Sequence, residues 1–148
     1  ILSGLVGSEM CIRDRIRAGV PRLGFDIDHR TIPHEVGLIA PAVHLEKGCY
    51  RGQETVARVY NMGKPPRRLV QLELDGSTNE LPARGDEVLC EGDAVGTVTS
   101  VTQDFEHGPL ALAVIKGSVP FGATLRVGSV TAAQTVIVDP GVRHKIEV

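Results

Sequence analysis

Leu69-Val70-Gln71-Leu72-Glu73-Leu74 and Ala94-Val95-Gly96-Thr97-Val98-Thr99-Ser100-Val101 are the two stretches that decide the fold. Apolar and polar side chains alternate in both, in the first after its opening pair, which is the period of a strand with one buried face. Around them, Glu87-Val88-Leu89-Cys90 precedes a turn containing Gly92, residues 110–115 form an apolar run, and residues 124–138 hold one or two further strands. Five or six short strands separated by Gly, Asp, Asn and Pro predict a small antiparallel barrel or sandwich. Aromatic residues make up only 3% of the chain and Trp is absent, so Val, Leu and Ile must fill the core. That composition suits strands better than an all-helical bundle.

The character of the sequence changes upstream of Leu69. Residues 52–62 place Val56, Val59 and Tyr60 at helical spacing, with Gly63 as the C-terminal cap. Lys64-Pro65-Pro66-Arg67-Arg68 then interrupts the pattern. A Pro-Pro step is stiff and cannot continue a helix, so the domain boundary is expected there. Residues 23–43 carry Gly24, Pro33, Gly37 and Pro41 and read as loops and short extended pieces. Arg15-Ile16-Arg17-Ala18-Gly19-Val20-Pro21 reads as the last turn of a helix, basic at its end, capped by Gly and followed by Pro. The run Ser8-Glu9-Met10-Cys11-Ile12-Arg13-Asp14-Arg15 resembles translated sequencing-adapter read-through, and residues 1–15 are therefore expected to be non-native.

The bulk properties exclude several classes. A formal net charge of −2 and a pI near 6.2 lack the basic excess that neutralising a long phosphate footprint requires, so direct nucleic-acid binding is not expected. Cys11, Cys49 and Cys90 are few, odd in number and widely spaced, which suggests neither a disulfide framework nor a zinc ligand set. No apolar stretch approaches the roughly 20 residues that span a bilayer. A cytoplasmic, monomeric protein without a metal site is the expectation.

Cys49 stands out among the residues that can carry chemistry. It lies between Lys47 and Arg51, just before a helix expected to begin at Gly52 or Gln53. Nearby cations and a helix N-terminus favour a thiolate, whereas a small buried apolar role is the plainer alternative. Glu54 either complements the helix dipole or points into a cavity as a functional carboxylate, where it would suit the adjacent N–H donors of a pterin. Asp26, Asp28, His29, His34 and Glu35 form a polar cluster without metal-ligand spacing and read as solvated loop residues. Arg84 falls in a turn and reads as a surface charge. Arg67 and Arg68 read as a solvated linker able to meet an anion. Cys90, at a strand end, reads as a packing residue.

The run Lys47-Gly48-Cys49-Tyr50-Arg51-Gly52-Gln53-Glu54, with Val56-Ala57-Arg58 and Asn61-Met62-Gly63-Lys64-Pro65-Pro66-Arg67-Arg68-Leu69 after it, resembles the signature of the YgfZ family. Those proteins are folate-binding relatives of the glycine-cleavage aminomethyltransferases. Thr31-Ile32-Pro33-His34-Glu35-Val36-Gly37-Leu38 upstream and Pro82-Ala83-Arg84-Gly85 downstream look like the flanking segments of the same superfamily, so the likeness runs from about Arg15 onward. It implies an α+β fragment: residues 16–64 would end the folate-binding, aminomethyltransferase-like domain, and residues 65–148 would form a small antiparallel C-terminal β-barrel.

The resemblance further implies tetrahydrofolate or a derivative as cofactor. Glu54 would hold the pterin, Arg84 would reach the folate, Lys47, Tyr50 and Gln53 would complete the loop, and Cys49 would be the reactive thiol. Iron–sulfur enzymes or assembly factors would be the partners, with a dependent tRNA modification downstream. Aminomethyltransferases generally lack a cysteine at the position of Cys49, and their catalytic aspartate lies in an N-terminal region with no counterpart here. A true aminomethyltransferase and a non-catalytic barrel fragment are the alternative readings.

Overall fold

The computed structural model describes residues 11–78 and 80–138. The non-native expectation for residues 1–15 therefore falls largely outside the described part of the chain. Six strands, β1 (Arg67–Leu74), β2 (Glu87–Cys90), β3 (Asp93–Asp104), β4 (Gly108–Lys116), β5 (Leu125–Val127) and β6 (Val130–Val136), form one closed barrel. The order around it is β1-β4-β3-β2-β5-β6, and every pairing is antiparallel. The predicted barrel is thus the observed one.

Closure rests on β1, which pairs with β4 on one side (Leu69 opposite Val114) and with β6 on the other (Val70 opposite Val136). Val70, Leu72 and Leu74 point into the barrel, where they meet Val88, Val98, Ala113, Ile115, Leu125 and Ala132. The outward phase is also apolar in part: Leu69, Leu110 and Leu112 are buried beneath Ile16 and Val36 of the preceding segment. This second layer explains why the alternation in β1 starts only after its first pair.

Two backbone features shape the barrel. The β2–β3 hairpin turns through Glu91 (φ 53) and Gly92 (φ 98), the two positive values that a two-residue turn matched to strand twist requires. Gly96 in β3 lies where a Cβ would come within 2.3 Å of the Val114 carbonyl oxygen and 2.7 Å of Ile115 Cα. Backbone cannot yield there as a flexible side chain would.

Ahead of the barrel, residues 11–17 are helical and Gly19 is left-handed (φ 66), as the capping pattern predicts. The helix Gln53–Met62 also forms where expected and packs through Val56, which is 5% exposed. Between them, residues expected to form loops and short extended pieces include a 3-10 turn, Pro33–Val36, and a single helical turn, Ile39–Ala42. Proline at the first position of a helical turn costs no hydrogen bond, and Glu35 supplies an acceptor for the Ile32 N–H (3.2 Å). No helix among the described residues is long and apolar enough to cross a membrane.

The β3–β4 hairpin is capped by Asp104, whose Oδ1 accepts the N–H groups of Glu106 (2.8 Å) and His107 (2.9 Å). These bonds hold its carboxyl down at about 2. A carboxyl depressed in the folded state stabilises fully above its unfolded value of about 3.9, and that contribution disappears as pH falls through about 2. Wild type should therefore lose more stability between about pH 4 and pH 2 than Asp104→Asn, as read by urea denaturation across that range. Gly96→Ala should lower stability by about 2–4 kcal/mol in the same assay at neutral pH.

Candidate functional site

The segment before the barrel is fastened to it by two buried carboxylates. Asp26, 3% exposed, accepts from Arg15 Nη1 (2.7 Å) and the Arg22 N–H (2.9 Å) on one oxygen, and from the Thr99 and Ser100 hydroxyls on the other. Consecutive strand residues ordinarily face opposite sides. In β3 the register slips between Val98 and Ser100, leaving Thr99 as the extra residue of a bulge, so both hydroxyls reach the same carboxylate. Arg15 also donates to Ser100 Oγ (3.0 Å), closing the network.

Glu35, 1% exposed, receives a bidentate pair from Arg67 Nε and Nη2, each at 2.9 Å. The reading of Asp26 and Glu35 as solvated loop residues is therefore corrected: both are buried ties. So is the reading of Arg67 and Arg68 as linker. Arg68 is 1% exposed on the inward phase of β1, donates to Gln134 Oε1 (2.9 Å) and stacks on Phe121 (4.2 Å). Its phase with Val70 and Leu72 was a sequence signal that it points inward. Hydrogen-bond partners 73 and 74 residues away were what hid the role of Asp26.

Two clefts flank this framework. One, of about 690 Å³, runs between residues 29–33, 42–52 and the start of the Gln53–Met62 helix, and Lys47, Cys49 and Tyr50 line it. The Cys49 side chain is exposed and free, and Tyr50 is half-buried in the wall. The small-buried-residue alternative for Cys49 is thereby removed. Gln53 and Glu54 sit in the first turn of the helix; Glu54 is exposed, and its neighbours Gly52 and Thr55 line the cleft while it does not.

The other cleft, of about 580 Å³, lies along β3 and contains Arg84 with Phe25 and Asp28. Arg84 stands in a turn, as expected, but is anchored: its Nη2 donates to the carbonyl of Gly24 (2.7 Å), and its guanidinium lies 4.6 Å from the Phe25 ring centre. Arg22 packs on the same ring at 4.4 Å. The structure thus brings Lys47, Cys49 and Tyr50 together and sets Arg84 in a separate groove.

His34, in the turn beneath the Gln53–Met62 helix, has both ring nitrogens buried without a hydrogen-bond partner among the described residues, and its ring lies 6.4 Å from that of Tyr60. Burial pushes its pKa below the usual histidine range. Asp104, Glu106 and His107 converge within 4.8 Å, yet Asp104 is committed to capping the hairpin and faces Arg13 and Arg17 at 3.9 Å. Cys90 packs against the barrel core, and Cys11 is exposed.

Residues 67–148 match the glycine cleavage T-protein C-terminal barrel domain, and β1 begins at the first matched residue. The chain is 36% identical over 126 residues to an aminomethyltransferase of Thermotoga maritima, covering 84% of this chain and 32% of that protein. It is 30% identical over 130 residues to the tRNA-modifying protein YgfZ of Cronobacter sakazakii, covering 84% and 39%. A crystal structure of the glycine cleavage system aminomethyltransferase T from Bartonella henselae superposes with a TM-score of 0.68 at 25% identity, covering 87% of this chain and 37% of that one. The chain thus spans roughly a third of the length of the relatives it matches.

Removing the carboxylate of Asp26 leaves Arg15 partly buried and two hydroxyls unpaired. Asp26→Ala should cost about 3 kcal/mol in urea denaturation and speed amide exchange across residues 11–28 more than within the barrel.

Proposed function

The chain belongs to the glycine cleavage T-protein C-terminal barrel family, in the superfamily that holds the aminomethyltransferases and the YgfZ-type proteins, and on that premise we propose that it is part of a folate-binding accessory protein supporting iron–sulfur enzymes. The observation that carries the reading is the exposed Cys49 thiol at a cleft it shares with Lys47 and Tyr50 of the same loop. A thiol placed for ordinary packing would be covered. Here it faces a small-molecule-sized space, and the cleft volume of about 690 Å³ falls within the range of ligand pockets.

The residues present fit a reduced folate in part. The ring of Tyr50, with Ile32, Pro33 and Val56, offers an apolar wall to a flat aromatic body. Glu54, in the first turn of the helix between the cleft-lining Gly52 and Thr55, would accept paired N–H groups from a pterin edge only with its side chain turned inward. Arg84 lies in the neighbouring groove and would meet a different portion of an extended ligand. Tetrahydrofolate, when bound, supplies a one-carbon carrier. Within this chain Lys47 provides positive charge beside Cys49. The protein would serve in a reducing cytoplasm, where a free thiol persists.

The relation to the tRNA-modifying protein YgfZ supports a link to tRNA modification through an iron–sulfur enzyme rather than through direct contact of this chain with RNA. A second reading, aminomethyl transfer to tetrahydrofolate, is favoured by the higher identity to the Thermotoga maritima enzyme.

The two readings separate on Cys49. In cells lacking the native protein, the intact protein should restore iron–sulfur enzyme activity, and Cys49→Ala should abolish that rescue while leaving the fold unchanged by circular dichroism. Full rescue by Cys49→Ala sinks the thiol role. Aminomethyl transfer that survives the substitution in a glycine-cleavage assay would establish the second reading instead.

A further inference from the structure

The turn Pro33–Val36 lies between the barrel and the Gln53–Met62 helix, and its residues divide between the two. Glu35 and Val36 hold the barrel side: Glu35 takes the bidentate pair from Arg67, and Val36 packs with Leu69, Leu110 and Leu112. His34 meets the helix, with its ring 6.4 Å from that of Tyr60. Because the helix packs on this turn rather than on a strand, its seat depends on that contact.

A neutral imidazole carries one donor and one acceptor, and at His34 both are buried and unmet among the described residues. Arg15 and Arg68, the other residues with a buried nitrogen of this kind, bond through their remaining nitrogens. A Leu or Phe would fill the place of His34 without that cost. What an imidazole adds is a charge that a proton can switch on near neutral pH. Burial already pushes this ring's pKa below the usual histidine range, so the site disfavours the charged form.

The carboxylates around the turn are engaged, or stand at the far end of the helix. Glu35, next to His34 in the chain, serves Arg67 and the Ile32 N–H. On β1, Arg67 is a cation held by Glu35, Arg68 is buried against Gln134, and Glu73 accepts from Thr135. On the helix, Glu54 is exposed in the first turn and Arg58 is exposed, whereas Tyr60 lies in the last turn. The neighbouring turn Ile39–Ala42 has no titratable side chain.

We propose that His34 is a proton-operated latch on the Cys49 cleft. Neutral, it leaves the turn and the helix packed together. Protonated, it carries an unanswered charge into their contact, and the helix lifts from the turn while the barrel stays closed. The start of that helix and the loop before it form a wall of the cleft, so acid loosens this wall whatever ligand the cleft takes. Above about 6.5 the ring is neutral in both the seated and the released state, and the contact is fully held. As pH falls below that value the released state binds the proton first, and the contact weakens until the seated ring is protonated as well.

Amide exchange of the full chain, read by mass spectrometry at about pH 7.5 and about pH 5 and corrected for the intrinsic pH dependence of exchange, follows the latch. Protection across residues 44–62 should fall about fivefold or more at the lower pH, while β3 and β4 keep theirs. Asp104 does not confuse the result, because its carboxyl is held down at about 2. His34→Leu fills the site without a titratable nitrogen and should make the protection of residues 44–62 independent of pH. His34→Gln carries the same expectation if the leucine variant does not fold. Replacing the exposed His29 and His44 at the cleft together by Gln should leave the full response. A proton NMR titration of the His34 ring in the unsubstituted protein should have its midpoint below about 6.5.

Unchanged protection of the helix in the unsubstituted protein, an equal loss of protection in the barrel, or a ring midpoint at or above about 6.5 would each overturn the inference. So would a response that persists in a folded His34 variant or disappears with His29 and His44.

Discussion

The Asp26 carboxylate joins three stretches of chain that have no sheet in common. Arg15 lies in the last turn of one helix, the Arg22 N–H begins a loop, and Thr99 with Ser100 belongs to the barrel wall; all four donors converge on two oxygens. Residues 11–62 contain only short helical elements, and the Gln53–Met62 helix packs on the Pro33–Val36 turn rather than on a strand. Their position depends on the Asp26 tie, on the Glu35–Arg67 pair, and on the apolar contact of Ile16 and Val36 with Leu69, Leu110 and Leu112. A buried carboxylate is tolerable here because every partner it needs is in place; with one missing, desolvation would work against the same arrangement.

The barrel was legible because a closed sheet imposes period two on every strand that lines its core. Val70, Leu72 and Leu74 show that period, and the Gly92 turn marks where one strand ends and the next begins. Where a second layer covers the outside, the signal weakens, and Leu69 beside Val70 is the visible trace of it. The polar residues were harder. Asp26 and Glu35 have the composition of a loop, and only partners supplied by β3 and β1 turn them into anchors. Local sequence cannot show a partner that the chain brings back dozens of residues later. The short helical turns at 33–36 and 39–42 were missed for a related reason: Pro33 and Pro41 signal interruption, and proline starts a helical turn as readily as it breaks one.

The candidate site was legible as a loop and not as a place. Cys49 was read between Lys47 and Arg51 just before a helix, and it is exposed. Arg30 and His44, which line the same cleft, stand on segments that sequence reasoning assigned no role, and only the folded arrangement sets them beside Lys47 and Arg51. Arg84 shows the converse. Its turn was recognised, but its hydrogen bond to Gly24 and its stacking on Phe25 tie it to the segment carrying Asp26. The groove holding Arg84 and the cleft holding Cys49 are therefore coupled through residues 24–33, which contribute to both linings.

Barrel closure also sets the order in which the chain can acquire its structure. β1 is made first, yet its two neighbours are β4 and β6, and the last of these pairs Val136 with Val70. During synthesis β1 must remain unpaired on one side until nearly the whole domain has left the ribosome, and no local hairpin can shelter it. Ile16 and Val36, emerging earlier, cover Leu69 on its outer face and give this waiting strand its first apolar contact. The segment that carries the Cys49 cleft thus has a second service open to it, as a companion to the strand that waits longest for its partners.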